Sequence, residues 1–167
     1  MTDTEKELRE QREIRGVSKT IREMLKGMKY SIDYYQREYK WQTKQVEELL
    51  DDLTNRFLED HDDANPRDAV AGYGHYFLGS VVISNKKGQK FIIDGQQRLT
   101  TLTLLLIFLH NVQRDRSEKV EIADMIFSVR YGKKSFNMDV PERQGVMEAL
   151  FTETDFDASE KSESIRN

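Results

Sequence analysis

Residues 96–112 read as a helix that is apolar nearly all round between positions 102 and 109, entered from an apolar strand at 89–94 through one glycine, Gly95. A helix without a polar face is stable only when other elements cover it on several sides, so this segment demands the middle of a domain. The joint ahead of it, Asp94-Gly95-Gln96-Gln97-Arg98, gathers one carboxylate, two amides and one guanidinium where strand hands over to helix. A first helical turn offers unbonded backbone N–H groups and the positive end of the dipole. Both favour an anion, most often a phosphate.

The chain of 167 residues is long enough for one domain with a sizeable core and too short for two large ones. With 34% charged and 37% hydrophobic residues it is polar and globular in composition. A formal charge of −4 does not indicate nucleic-acid binding, though a local basic groove stays open. The absence of cysteine excludes disulfides, thiolate metal sites and a cysteine nucleophile, and fits a reducing compartment. Residues 1–7 lack the apolar core of a signal peptide, and the apolar run at 102–109 is too short to span a bilayer. A cytoplasmic protein with no membrane partner is expected.

Residues 1–15 read as a leading charged helix. Ser18 is a candidate cap for a short helix at 19–26 with Ile21, Met24 and Leu25 on one face, ended by Gly27. A strand at 28–32 and an aromatic-rich turn at 34–41 follow. Thr43 is a candidate cap for a helix whose Val46, Leu49, Leu50, Leu53 and Phe57 form one buried stripe, opposite Glu47, Glu48, Asp51 and Asp52. Residues 59–66 are loop by composition, and Gly72 and Gly74 continue a flexible connection. Residues 76–84 are strand-like, and Asn85-Lys86-Lys87-Gly88 is a hairpin turn into the strand at 89–94. Residues 122–131 suit helix or strand, 135–138 a short strand, and Pro141 opens a helix to about 151. The polar end, Ser164-Ile165-Arg166-Asn167, reads as a cut from a longer protein. The expected organisation is a leading extension at 1–18, a compact domain at 19–115 and a partial α-rich extension at 116–167, completing a helical layer behind the sheet.

Three constellations carry chemistry, each with a bland alternative. In the first, Gly95 permits a sharp turn and close ligand approach, Arg98 offers a fork for phosphate oxygens, and Asp94 suits a divalent cation or an attacking water. The alternative makes Asp94 a helix cap and Arg98 its surface partner. In the second, Tyr35-Gln36-Arg37-Glu38-Tyr39-Lys40-Trp41 interleaves cations with aromatics able to grip phosphate and stack a base, or else anchors its rings in the core. In the third, His75 near a strand start suits a base or ligand, although a lone histidine is more often structural. The acidic run around His61 matches no closed metal site and is read as solvated.

Taken in order, Ile32-Asp33-Tyr34-Tyr35-Gln36-Arg37-Glu38-Tyr39-Lys40-Trp41, then Val46-Glu47-Glu48-Leu49-Leu50-Asp51-Asp52-Leu53, then Tyr76-Phe77-Leu78-Gly79-Ser80-Val81-Val82, then Asp94-Gly95-Gln96-Gln97-Arg98-Leu99-Thr100-Thr101, the chain resembles the N-terminal domain of GmrSD-type, modification-dependent (type IV) restriction enzymes. The likeness covers about residues 19–109, and the final octet is its most specific part. The family often carries a proline ahead of its Gln-Arg pair, which Asp33-Tyr34-Tyr35 lacks. The resemblance implies an α+β fold of the ParB/sulfiredoxin-like kind: a small mixed sheet flanked by helices, with a helical C-terminal extension. It implies a nucleoside triphosphate (NTP) bound and hydrolysed with Mg2+. Asp94, Gln96, Gln97 and Arg98 would be catalytic, Asp94 also the metal ligand. Gln36, Arg37, Gly95, Thr100, Thr101 and His75 would contact the nucleotide.

Whole proteins of this type often carry an HNH-type nuclease domain or subunit that cuts DNA bearing modified cytosine. His61, His75 and His110 fit no such motif, so DNA cleavage is not assigned to these residues. The expectation is an NTPase domain of a phage-defence restriction protein that meets modified DNA through the full-length protein, and that forms a homo-oligomer in one arrangement. The rival expectation is a non-catalytic module that senses a nucleotide or modified DNA and regulates a nuclease domain.

Overall fold

The computed structural model describes residues 14–32, 38–130 and 132–157. The expected leading helix therefore lies almost wholly outside the described residues, as do Asp33 to Arg37 and the end of the chain. The architecture is mixed α+β, as expected. Helix α1, Ile21–Leu25, begins two residues later than Ser18 would set it, because Thr20 and Glu23 form a reciprocal capping box. The Thr20 N–H donates to the Glu23 carboxylate at 2.7 Å and the Glu23 N–H to the Thr20 hydroxyl at 3.2 Å. Ser18 has Ile21 three residues on and cannot make this box.

Strand β1, Tyr30–Ile32, leads through the 33–42 segment to helix α2, Thr43–Asp60. The α2 stripe is only partly buried: Leu49 is in the core and Leu53 packs against it, whereas Leu50 and Phe57 are exposed. Periodicity identified the apolar face, but nothing fully covers its outer turns. Phe57 instead stacks on His61 with ring centroids 4.7 Å apart and leans on Tyr73. The acidic face of α2 is exposed throughout. A 3-10 turn, Arg67–Gly72, interrupts what composition presented as loop.

Strand β2 spans only Val82–Lys86, shorter than the expected 76–84. Residues 74–81 stay outside the sheet, and α2 holds their near end. The Gly74 N–H donates to Asp60 and the Tyr76 hydroxyl to Asp52, each at 2.6 Å. The hairpin into β3, Gln89–Asp94, turns at Lys87 and Gly88 as expected, both with positive φ. In the four-stranded sheet, ordered β2-β3-β1-β6 with β6 being Met138–Asp139, β3 is antiparallel to β2 and parallel to β1, with Ile32 opposite Ile92.

Helix α3, Gln96–Val112, shares the core with this sheet, its Leu99, Leu102 and Ile107 clustering with Ile32 and Ile92. Both readings of residues 122–131 hold in part: helix α4, Ala123–Ile126, runs straight into strand β4, Phe127–Arg130. Strand β5, Lys133–Phe136, pairs with β4 as a separate hairpin. Strand β6, Met138–Asp139, joins the main sheet parallel to β1, and helix α5, Pro141–Thr152, packs on α3. Fully buried Asn137 ties these parts together, its amide donating to the Leu25 carbonyl at 2.9 Å and the Asp124 carbonyl at 3.2 Å.

The core joins Leu25, Tyr30, Ile32, Ile92, Leu99, Ile107, Ile126, Met138 and Met147. The apolar helix is covered on several sides only along its first three turns. Near its end Phe108, Leu109 and Val112 stand 56%, 44% and 50% exposed. Among the described residues no helix is long and apolar enough to cross a membrane.

Candidate functional site

The joint between β3 and α3 is set by backbone space. Gly95 sits at φ +85°, a conformation that L side chains rarely adopt, and a Cβ there would lie 2.9 Å from Val81 Cγ2 and 3.3 Å from the Ser80 carbonyl. The chain passes so close to residues 80–81 that no side chain fits. The same stretch seats Arg98. Its guanidinium donates to the Ser80 carbonyl at 3.1 Å and lies 3.1 Å from where a Cβ on Gly79 would stand. Gly79 itself has φ +90°. Residues 79–81 are therefore the floor on which both the turn and its arginine rest.

Asp94 is exposed, and its Oδ1 accepts the Gly95 N–H at 2.8 Å. The helix cap is Gly95, without any side-chain bond, and Arg98 bonds backbone rather than Asp94. The bland alternative, an aspartate cap with an arginine partner, is thus not what the geometry contains. Tyr76 stands at the edge of this floor. Its hydrogen bond to Asp52 holds its phenol above the usual range, reinforced by burial and by the Asp52 charge and opposed by Arg98.

The two glutamines differ. Among the described residues Gln96 Oε1 is buried without a hydrogen-bond partner. Gln97 is committed at both ends of its amide: Nε2 donates to the Glu38 carbonyl at 2.8 Å and Oε1 accepts the Lys40 N–H at 2.9 Å. Thr100 and Thr101 also point inward, at 3% and 5% exposure. Thr101 Oγ1 donates to the Gln97 carbonyl at 3.0 Å and lies 2.7 Å from the Tyr39 hydroxyl. Thr100 Oγ1 accepts from Arg143 at 3.0 Å. Arg143 is 5% exposed, lies over the Tyr39 ring at 5.5 Å, and has its pKa lowered, chiefly by burial.

The structure thus brings Asp94, Gly95, Gln96 and Arg98 together at the turn and directs Gln97, Thr100 and Thr101 away from it. His75 is exposed at the start of the 74–81 stretch. Gln36 and Arg37 lie outside the described residues. Tyr39 is buried and Trp41 packs on the core, so for these two rings the anchoring alternative is the correct one. Sequence reasoning missed the supporting role of Gly79 and Ser80, although Gly79 stood in a quoted motif. It also missed Arg143, which carries no local signal.

Sheet order, helix placement and this joint define an α+β domain built around one strand-to-helix turn rich in polar groups. The sequence model of the GmrSD restriction endonuclease N-terminal domain matches residues 18–167, and the chain belongs to that family. Membership bears out the resemblance carried by the octet at 94–101 and ties the chain to restriction and phage defence. No curated protein matches it.

Proposed function

We propose that this domain binds a nucleoside triphosphate at the Asp94–Arg98 turn and hydrolyses it with Mg2+, within a cytoplasmic, modification-dependent restriction protein. The observation that carries the reading is the stripped backbone at Gly95, with Arg98 held beside it by Ser80. The N–H groups of the first α3 turn are oriented for phosphate oxygens, and the Arg98 fork offsets charge that grows during phosphoryl transfer. The Asp94 carboxylate suits a magnesium ion, which is commonly held by one or two carboxylates together with substrate phosphates. When bound, the ion would neutralise phosphate charge that the arginines alone leave uncompensated.

Asp94 keeps its orientation through the Gly95 N–H, which fixes one oxygen and leaves the other for the cation or an attacking water. Gln96 offers a buried acceptor, a costly group to leave unmatched and one suited to a water or a ligand hydroxyl. Gln36, Arg37 and His75 complete the proposed nucleotide contacts, in keeping with a ParB/sulfiredoxin-like kinship. An HNH-type nuclease domain or subunit and modified DNA are the proposed partners of the full-length protein, and a homo-oligomer its proposed assembly.

Phosphate release from ATP, GTP, CTP and UTP, with and without magnesium, tests this on wild type, Asp94→Ala and Arg98→Ala. Magnesium-dependent release is expected, with Asp94→Ala abolishing turnover more completely than binding. Full hydrolysis by a folded Asp94→Ala protein would sink the assigned role. A second reading, a sensor of nucleotide or modified DNA, draws on Gln97, Thr100 and Thr101, whose polar groups serve the interior rather than a ligand. Steep loss of DNA affinity with rising salt, without phosphate release, would favour it.

A further inference from the structure

Three polar residues of one helical stretch, Gln97, Thr100 and Thr101, are tied to two distant parts of the chain. Thr101 has a single hydroxyl proton, and the Gln97 carbonyl 3.0 Å away takes it. The 2.7 Å contact with Tyr39 is therefore donated by the tyrosine, which fixes the direction of the whole chain of bonds. Tyr39 donates to Thr101, Thr101 to the Gln97 carbonyl, and the Gln97 side chain grips the backbone on either side of Tyr39. Arg143, on the C-terminal helix α5, closes the arrangement by donating to Thr100 at 3.0 Å and covering the Tyr39 ring. A buried guanidinium is retained only where its surroundings hold it, and here it joins helix α3 to the 38–40 segment.

We infer that Tyr39, Thr100, Thr101 and Arg143 form a buried clasp that orients the first turn of α3, making Arg143 a positioning residue of the nucleotide site. This rests on the nucleotide reading above. It reassigns Thr100 and Thr101 from ligand contact to support, and it makes a helix far along the chain part of the site's geometry. Gln97 is the link: its backbone belongs to the anion-facing turn while its side chain belongs to the clasp.

The test titrates ATP, GTP, CTP and UTP, each with magnesium, into wild type, Tyr39→Phe, Thr101→Val, their double variant, Arg143→Lys and Arg143→Met. Thr103→Val is the control. Its hydroxyl is equally buried on α3 and donates to the Leu99 carbonyl at 2.8 Å, with no part in the clasp. Melting temperature and hydrogen exchange at the amides of 38–40 are read alongside. Tyr39→Phe and Thr101→Val should each weaken affinity for the triphosphate that wild type binds by about three- to ten-fold. The double variant should be no worse than the weaker single, because both remove the same bond. Arg143→Lys should retain more affinity than Arg143→Met, and the Lys40 amide should exchange faster in the clasp variants alone. Thr103→Val should lower the melting temperature and leave affinity untouched. Unchanged affinity in Tyr39→Phe and Thr101→Val, or a loss in Thr103→Val as large as theirs, overturns the clasp's role. Wild type that binds none of the four triphosphates overturns the nucleotide reading and this inference with it.

Discussion

The two ends of helix α3 differ in composition and are held in different ways. From Leu99 to Thr103 every side chain is buried, and three of the five are threonines bonded to Arg143, Tyr39 or the preceding turn. From Phe108 to Val112 the apolar side chains largely face outward, and the anchors there are Asn111, which donates to the Leu150 carbonyl at 2.8 Å, and His110 stacked on Phe151. The polar residues are thus at the buried end and the greasy ones at the exposed end. Hydrophobicity alone does not decide which part of a helix is covered; the distribution of long-range partners does.

The largest expected effect follows from this contrast. Leu99 is wholly buried, so Leu99→Ala should cost about 2–5 kcal/mol of unfolding free energy, the ordinary range for emptying a packed leucine site. Phe108→Ala should cost far less, although it removes a larger side chain. Urea unfolding of both variants measures the difference, and equal losses would break the comparison by showing that the exposed end is as tightly packed. Next comes Thr100→Val, which keeps the shape but takes an acceptor from the buried Arg143 guanidinium. A loss of about 1–3 kcal/mol is expected, typical of removing one partner from a buried polar pair. No loss would mean that Thr100 is a bystander to the arginine.

The joint at 94–98 was legible because its message is local. A glycine between an apolar strand and an apolar helix, flanked by ligand-type side chains, announces itself within five residues, and the turn at Lys87 and Gly88 does the same within four. The clasp was not legible because its partners are 62 and 43 residues apart and obey no period. Residues 76–81 look like strand by composition, yet Tyr76 donates to Asp52, Gly79 turns at φ +90° and the Ser80 carbonyl accepts from Arg98, none of which a local pattern reports. The stripe on α2 shows a related limit: spacing reports which face is apolar, not how far a neighbour extends across it. Of the expected site residues, those whose role is backbone geometry were readable, while Thr100 and Thr101 looked alike for ligand contact and for support.

A smaller effect concerns the floor beneath Arg98. The Tyr76 phenol is held neutral by its bond to Asp52, so its folded pKa lies above that of the unfolded chain. The sign follows: this bond's contribution is complete below the ordinary tyrosine pKa and is lost as pH rises through the raised folded value. Because the pair is exposed, the effect should be modest. Ultraviolet titration should count one fewer late-ionising tyrosine in Tyr76→Phe than in wild type, the Tyr30 phenol, raised by burial, remaining in both. Ionisation at the ordinary value would mean that the 74–81 stretch is not held to α2 by this bond.

The smallest effect probes the exposed end of α3 directly. Leu109 is 44% exposed, and replacing it by glutamine keeps length and helix propensity while removing apolar surface from contact with water. Its stability change should stay within about 0.5 kcal/mol, as for surface substitutions away from packed features. A destabilisation approaching that of Leu99→Ala would show that Leu109 is covered in solution. The asymmetry between the two ends of the helix would then belong to the isolated domain rather than to the protein at work. A near-neutral Leu109→Gln, beside a costly Thr100→Val, would establish the opposite: a hydroxyl at the clasped end matters more to this fold than a leucine at the other.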